Sequence, residues 1–303
     1  MSAILATTGA IAQGTMTFTT AAPKGTEVRI LANVVSATQP LTIDFGNGVQ
    51  QKFTIDPDQA AWQRWISGTI EGTTITVSGQ ITEFQLQNAQ LTSAAIDGMS
   101  KLTKLDLSKN SITSFELLSQ TPLTSLNLSY NNIQNSPSNN STLTLENCGK
   151  TLEWLTLNNN TGLQCLDVQY QKVLKYLTLN DCPDLASIFI CLPESSQNTL
   201  TSINLSNCSL NNFYPVSLPS LHTLILSNNR LMTTGTDNPF VLGDYPELTS
   251  LALSNNKSVD ALDVTKCTKL EELFINGCNF ELIDISQAPA LRILNVADNK
   301  IHS

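Results

Sequence analysis

The stretch Leu251–Val296, LALSNNKSVDALDVTKCTKLEELFINGCNFELIDISQAPALRILNV, decides the fold. Its apolar pairs Leu251/Leu253, Leu262/Val264, Leu273/Ile275, Ile283/Ile285 and Leu294/Val296 recur at steps of 11, 11, 10 and 11 residues. A pair of the form L-x-L alternates with a period of two, which suits a strand and not a helix of 3.6 residues per turn. Two steps make one repeat, and three residues after alternate pairs stands Asn256, Cys278 or Asn299.

Followed backwards, the same frame covers most of the chain. The first leucine of each inner pair falls at Leu105, Leu126, Leu155, Leu177, Ile203, Leu224, Leu251, Leu273 and Leu294, with a degenerate start at Phe84. That is ten turns, nine intervals over 210 residues. The position three after each pair forms a ladder: Asn110, Asn131, Asn160, Cys182, Cys208, Asn229, Asn256, Cys278 and Asn299, with Ala89 at the start. The spacing L-x-x-L-x-L-x-x-N/C resembles the leucine-rich repeat family in its short bacterial, internalin-like form.

Each part of the motif has a physical task. One repeat cannot bury its own leucines, so turns must stack into a parallel inner sheet, each buried Leu contributing roughly 1.5 to 3 kcal/mol. After each strand the backbone leaves the sheet and loses its partners, and an inward Asn amide can supply them. Cys fits the same place because it is small and tolerates burial. The second pairs, Phe115/Leu117, Leu143/Leu145, Leu166/Val168, Ile188/Ile190, Leu262/Val264 and Ile283/Ile285, mark the convex side. Half-turns of 10 or 11 residues leave no room there for a long helix. The expected fold is therefore mainly β, a solenoid of about ten turns with a parallel inner sheet and a non-helical convex side.

Residues 1–79 differ in composition from the solenoid expected over 80–303. MTFTT, TEVRILANVV, PLTIDFGNG, QQKFTID and TTITVSG read as strands between turn residues, a small N-terminal β-sandwich. Within it Leu41–Gly48, LTIDFGNG, resembles the W-D-F-G-D-G segment of polycystic-kidney-disease-type (PKD-like) sandwich modules of cell-surface proteins, with Ile43 in place of Trp and Asn47 in place of the second Asp. A cap there would cover the apolar end and bare strand edge of the first repeat. Trp62 and Trp65 read as its packing residues. Asp44, Asp56, Asp58 and Glu71 are the carboxylates that would have to gather around calcium, but no dense acidic loop pattern is present, and no metal is expected. Residues 1–14 have an apolar middle and an Ala-Ile-Ala like a cleavage site, without the basic start of a secretory signal.

Charge and composition remove several functions. Sixteen basic against 25 acidic residues give a net charge of -9, which opposes nucleic acid and anionic membrane surfaces. No apolar run approaches the roughly 18 residues of a membrane helix. Of the two histidines, His222 begins an ordinary inner strand and reads as a surface residue. Without a Gly-rich phosphate loop or zinc spacing, neither an enzyme nor a cofactor is expected. Seven cysteines leave at least one unpaired within the chain, and neighbouring Cys182 and Cys208 are the pair that a disulfide would join.

What remains is the concave face. The column before each inner leucine runs Glu83, Lys104, Ser125, Trp154, Tyr176, Ser202, Thr223, Ser250, Glu272, Ile293, and the column between the leucines runs Gln85, Asp106, Asn127, Thr156, Thr178, Asn204, Ile225, Ala252, Phe274, Asn295. Trp154 and Tyr176 stand out among small polar residues. Large aromatics on a water-facing sheet either anchor a ligand or cover each other as a cross-strand pair. The expected ligand-binding set is Trp154, Tyr176, Asn127, Tyr130, Thr156, Asn158, Thr178, Asn180 and Phe274. Three insertions, at 133–142, 192–199 and 230–240, would project at the rims.

The family resemblance implies a non-enzymatic, secreted or cell-surface bacterial protein that binds a protein ligand. The alternative is a glycan stacked on Trp154 and Tyr176. The last repeat, LRILNVADNKIHS, leaves its strand covered on one side, which a further segment, an end-to-end homodimer through this repeat, or simple tolerance of a short edge would explain.

Overall fold

The computed structural model describes residues 14–135, 143–190, 199–213, 217–232, 240–241 and 245–302. The expectations on residues 1–13 and most of the three insertions lie outside these. The described residues contain strands, two 3₁₀ turns (Ala61–Gln63 and Glu146–Cys148) and no α-helix.

The N-terminal part holds eight strands: β1 (Thr15–Thr20), β2 (Glu27–Val34), β3 (Leu41–Asp44), β4 (Gln50–Phe53), β5 (Trp65–Thr69), β6 (Thr74–Ser78), β7 (Ile81–Leu86) and β8 (Leu91–Asp97). They form two facing layers. One sheet runs β4-β3-β6-β1-β8, and the other begins β5-β2-β7. Alternation along β1 and β2 sends Met16, Phe18, Ile30 and Ala32 into the space between, fully buried. There Phe18 and Phe84 stack across the layers with centroids 5.8 Å apart. Gly68 on β5 is required by the same core, since a Cβ there would lie 2.0 Å from the Phe45 ring.

Neither sheet stops at the expected boundary near residue 79. Strand β7, antiparallel to β2, is also the first of ten parallel inner strands, followed by Lys104–Asp106, Ser125–Asn127, Trp154–Thr156, Tyr176–Thr178, Ser202–Asn204, Thr223–Ile225, Ser250–Ala252, Glu272–Phe274 and Ile293–Asn295. On the other layer β8 accepts Ser114–Leu117 in parallel, so the convex side also grows out of the sandwich. Convex strands recur at Cys165–Asp167 beside Ser187–Phe189, and at Phe240–Val241 beside Leu262–Asp263. Inner-strand leucines from Leu105 to Leu273 are buried to 2 % exposure or less, whereas Ile293 and Leu294 of the last strand are 46 % and 39 % exposed.

The ladder side chains bind the turns together. Asn256 accepts the Leu231 N–H at 3.2 Å and donates to the Leu226 and Leu253 carbonyls at 2.9 and 2.7 Å. Asn110, Asn131, Asn160, Asn229 and Asn299 do the same, each taking an N–H from the turn before. The cysteines donate between turns, Cys182 to Leu157 O at 3.3 Å, Cys208 to Leu179 O at 3.1 Å and Cys278 to Leu253 O at 3.3 Å, with longer contacts inside their own turns to the carbonyls of Asn180, Ser206 and Asn276 at 3.8, 3.5 and 4.0 Å. The disulfide weighed for Cys182 and Cys208 is not formed, and all six described cysteines are free and buried. Burial pushes the Cys148 and Cys267 thiols up to about 12 and about 11.

The choice between Asn and Cys follows from the turn one repeat earlier. Where the chain buries an apolar residue two positions after a ladder residue, as at Leu91, Ile112, Ile133, Leu210, Leu231 and Phe280, that residue's N–H needs an outside acceptor, and the next ladder residue is Asn. Where the apolar residue comes three positions after, at Leu163, Leu185 and Val259, its N–H closes on the ladder residue's own carbonyl, at 3.4, 3.0 and 2.9 Å. The next ladder residue is then Cys.

A second row runs outside. The residue before each ladder position has positive φ: Asn88, Lys109, Tyr130, Asn159, Asp181, Asn207, Asn228, Asn255, Gly277 and Asp298. Asn and Asp tolerate that region better than most residues. Here three amides also join, Asn255 donating to Asn228, Asn228 to Asn207 and Asn207 to Asp181, at 2.7, 2.7 and 2.8 Å. Gly277 sits at φ +69°, where a Cβ would lie 2.2 Å from Asn255 Oδ1.

The turn rule yields a substitution test. Asn229→Cys strips the Leu210 N–H of its acceptor and should cost roughly 1 to 3 kcal/mol in denaturant unfolding. The outward Ser227→Ala should stay within about 0.5 kcal/mol of wild type.

Candidate ligand-binding face

Register places the expected aromatics side by side. Trp154 pairs with Tyr176 across neighbouring parallel strands, and their rings lie 9° from parallel with centroids 5.5 Å apart. Both retain about two-fifths of their surface, 42 % and 41 %. Lys175 Nζ stands 5.9 Å from the Trp154 ring and bridges Glu153 at 2.9 Å. The rings therefore cover one face of each other and keep part of their remaining surface open.

On the side of Trp154 away from Tyr176 lies a slot of about 370 Å³. Two register rows line it. One runs Glu83, Lys104, Ser125, Trp154, and the other Gln85, Asp106, Asn127, Thr156. Leu31, from β2, closes the cap end. Small side chains at Ser125 and Asn127 leave the floor low between Trp154 and Lys104, which stand about 10 Å apart at two strand spacings.

Charges at the cap end are matched. Lys104 Nζ meets Glu83 Oε1 at 2.8 Å, and the Arg64 guanidinium, 9 % exposed, lies 3.4 Å from Glu83 Oε2. Arg64 Nε is buried and makes no hydrogen bond among the described residues. Partial burial pushes the Glu83 carboxyl up, but the Lys104 bond and the Lys104 and Arg64 charges outweigh it, leaving the carboxyl below its ordinary value. Asp106 accepts from Ser108 N–H at 2.9 Å and Gln87 Nε2 at 3.1 Å. Asn127 spends Oδ1 on Ser129 N–H at 3.1 Å, which turns its NH₂ to other partners.

The other expected site residues disperse. Thr156 lines the slot and Thr178 lies beside it on the Tyr176 strand. Asn158 accepts the Asn180 N–H at 3.1 Å, and Asn180 gives its own NH₂ to Asp181 at 2.5 Å. Tyr130, 54 % exposed, stands at the positive-φ rim and not on the inner sheet. Phe274 is four strands from Tyr176, about 19 Å along the sheet. Glu83, Lys104, Asp106, Ser125, Leu31 and Arg64 were not singled out from the sequence. The first four stand in the two concave columns, but Leu31 and Arg64 arrive only through the β2–β7 pairing and the cap.

Elsewhere one expectation fails. Trp62 is 74 % exposed and packs little, while Trp65 holds a cation–π contact with Arg29 at 5.0 Å. The four carboxylates weighed for calcium do not gather. Asp44 caps the N–H groups of Gly46, Asn47 and Gly48, Asp56 binds Asp58 N–H, and Glu71 pairs with Lys24. Among the described residues no group of three His, Cys, Asp or Glu side chains is placed to hold a metal, and no helix is long and apolar enough to cross a membrane. His222 is exposed, with Nδ1 2.8 Å from Ser220 O.

The stacked turns, their inward Asn and Cys ladder and a family comparison converge. A model described as leucine-rich repeat matches residues 98–114 and 119–136, two successive turns. The chain folds as a leucine-rich repeat solenoid, and two of its turns match that family's model. Among solved structures it is similar to InlJ of Listeria monocytogenes, described as including a cysteine ladder, at 20 % identity and a TM-score of 0.44, covering 78 % of this chain and 58 % of that one. It is also similar to a leucine-rich repeat protein of Leptospira interrogans, at 20 % identity and a TM-score of 0.35, covering 68 % and 63 %. A third likeness is the ectodomain of the receptor kinase GASSHO1/SCHENGEN3 of Arabidopsis thaliana with CASPARIAN STRIP INTEGRITY FACTOR 2, at 16 % identity and a TM-score of 0.28, covering 72 % and 39 %. The chain thus spans less than two thirds of each of these structures. No curated protein matches the sequence.

The Glu83 cluster titrates in a defined direction. A carboxyl held below its unfolded value of about 4.3 adds stability above that pH and loses it as pH falls through the folded value. The melting-temperature gap between wild type and Glu83→Gln should therefore be widest near pH 7 and shrink on acidification below about pH 4.

Proposed function

We propose that this chain is a non-enzymatic binding protein, secreted or displayed on a bacterial surface, whose concave face holds a protein partner around Trp154 and Tyr176. The observation that carries the reading is the stacked, two-fifths exposed aromatic pair on a sheet face of small polar residues. Such a pair offers large apolar area with little conformational freedom left to lose, the property of interface hot spots. Ser125, Asn127, Thr156 and Thr178 surround it with polar groups suited to a rim. Leucine-rich repeat proteins are in general recognition scaffolds, and the rigid ladder serves that role by holding the face in shape.

Residues 1–79 and 80–303 act in this reading as one body, because both sheets pass from the cap into the first turns. A carbohydrate ligand is the second reading, favoured by the open face of Trp154 beside hydroxyl and amide groups with no excess of charge.

For a partner recovered on the immobilised chain, Trp154→Ala or Tyr176→Ala should weaken binding in calorimetry by more than about 2 kcal/mol, with the melting temperature unchanged. Unaltered affinity would remove the aromatic pair from the interface, and a lost fold would make the pair structural.

A further inference from the structure

We infer that the slot between Trp154 and the Glu83–Lys104 pair is a carbohydrate subsite that takes one neutral pyranose ring. The inference rests on the reading of the concave face as the recognition surface and names the chemistry of one part of it.

The first argument is shape. Tyr176 covers one face of the Trp154 indole, and the slot opens on the other. A sugar presents a patch of C–H bonds on a face of its ring, and an exposed indole plate matches such a patch in size and polarity. At about 370 Å³ the slot has room for a ring and part of its neighbour, which suits an internal or terminal unit of a chain.

Charge is the second. The ionised groups lining the slot are Lys104, Glu83 and Asp106, and Arg64, buried behind Glu83, balances the local charge at two of each sign. An anionic ring would meet the two carboxylates and a cationic one the Lys104 ammonium, so a neutral ligand is favoured. The buried Arg64 fixes Glu83 from behind and leaves Lys104, 61 % exposed, with N–H groups to spare.

The third is the polar pattern. Asp106, Asn127 and Thr156 stand in one register row on adjacent strands, at about 4.8 Å intervals. That interval is close to the separation of alternate equatorial hydroxyls around a six-membered ring. The row offers an acceptor, a donor and a hydroxyl in that order, and sugar hydroxyls both give and take hydrogen bonds. Leu31 closes the far end from the cap, so the subsite is shared between the cap and the first four inner strands.

The test uses the full chain in calorimetry against neutral hexasaccharides (cello-, malto-, manno-, xylo- and chitohexaose) and against a heparin hexasaccharide. At least one neutral probe should bind and heparin should not. Trp154→Ala should weaken that binding about thirtyfold, the effect of losing a hot-spot aromatic, and Thr156→Val by about two- to tenfold, the effect of one hydrogen bond. Trp154→Phe, which keeps a plate, should retain part of it. A protein partner recovered on the face is tested before and after enzymatic deglycosylation, which separates a protein-borne glycan from a free polysaccharide. If no neutral probe binds at 10 mM and deglycosylation changes nothing, the subsite inference falls, while a Trp154-dependent protein partner leaves the broader reading standing. Binding of heparin alone, or sugar binding indifferent to Trp154→Ala, also overturns it. Sugar binding with every protein partner indifferent to Trp154 would instead remove the protein reading and keep the subsite.

Discussion

A buried amide such as Asn131 joins groups that neither sheet nor solvent can reach: it takes the Ile112 N–H and gives to the Leu107 and Leu128 carbonyls, each within 3.0 Å. These are backbone atoms left over where an inner strand turns away from its neighbours. Unpaired, each would carry a desolvation penalty of roughly 1 to 3 kcal/mol, repeated at every turn. The leucine columns supply the driving force for stacking, but leucine has no directional preference that distinguishes one register from another. The ladder does, because a slip by one residue would part every inward amide from its three partners. Solenoid register, the straight columns of the concave face and the pairing of Trp154 with Tyr176 all depend on it.

The same dependence explains where the slot can exist. A regular run of turns makes a smooth concave sheet, and a depression needs an interruption in side-chain size or a second element at its edge. Here both occur together. Small residues at Ser125 and Asn127 fall between a large aromatic and a long ion pair, and the sandwich brings Leu31 against the first inner strand. Because the sandwich and solenoid share both sheets, the wall contributed by the cap is held by continuous backbone hydrogen bonding and not by a hinge.

The repeat architecture was legible because its signal is redundant. Ten nearly equivalent spacings specify one inner strand each, so a degenerate member such as Phe84 is carried by its neighbours. Strand β5 was not legible in advance: Trp65–Thr69 lacks clear alternation, and its place beside β2 is settled by a pairing at long sequence separation. Trp62 misled for a related reason, since an indole in a hydrophobic segment reads as core until the turn beneath it is seen to face outward. In the site, neighbouring aromatics followed directly from register, but the Arg64–Glu83–Lys104 cluster did not. Its geometry depends on a side chain crossing from the cap. The alternation of Asn and Cys was in plain view, yet its cause lies one turn upstream, outside any single repeat as ordinarily framed.

That upstream cause changes what counts as one interchangeable piece of this protein. A segment cut from leucine to leucine would separate a turn from the ladder residue that completes it, and joining it to a foreign neighbour would leave either an N–H without an acceptor or an Asn oxygen without a donor. The piece that can be duplicated, deleted or grafted without such a mismatch starts just after one ladder residue and ends on the next, so that Asn256 travels with Leu231, and Cys278 with Val259. Lineages that lengthen or shorten this solenoid by recombination would then keep their junctions at those points, a few residues beyond the strands that do the stacking.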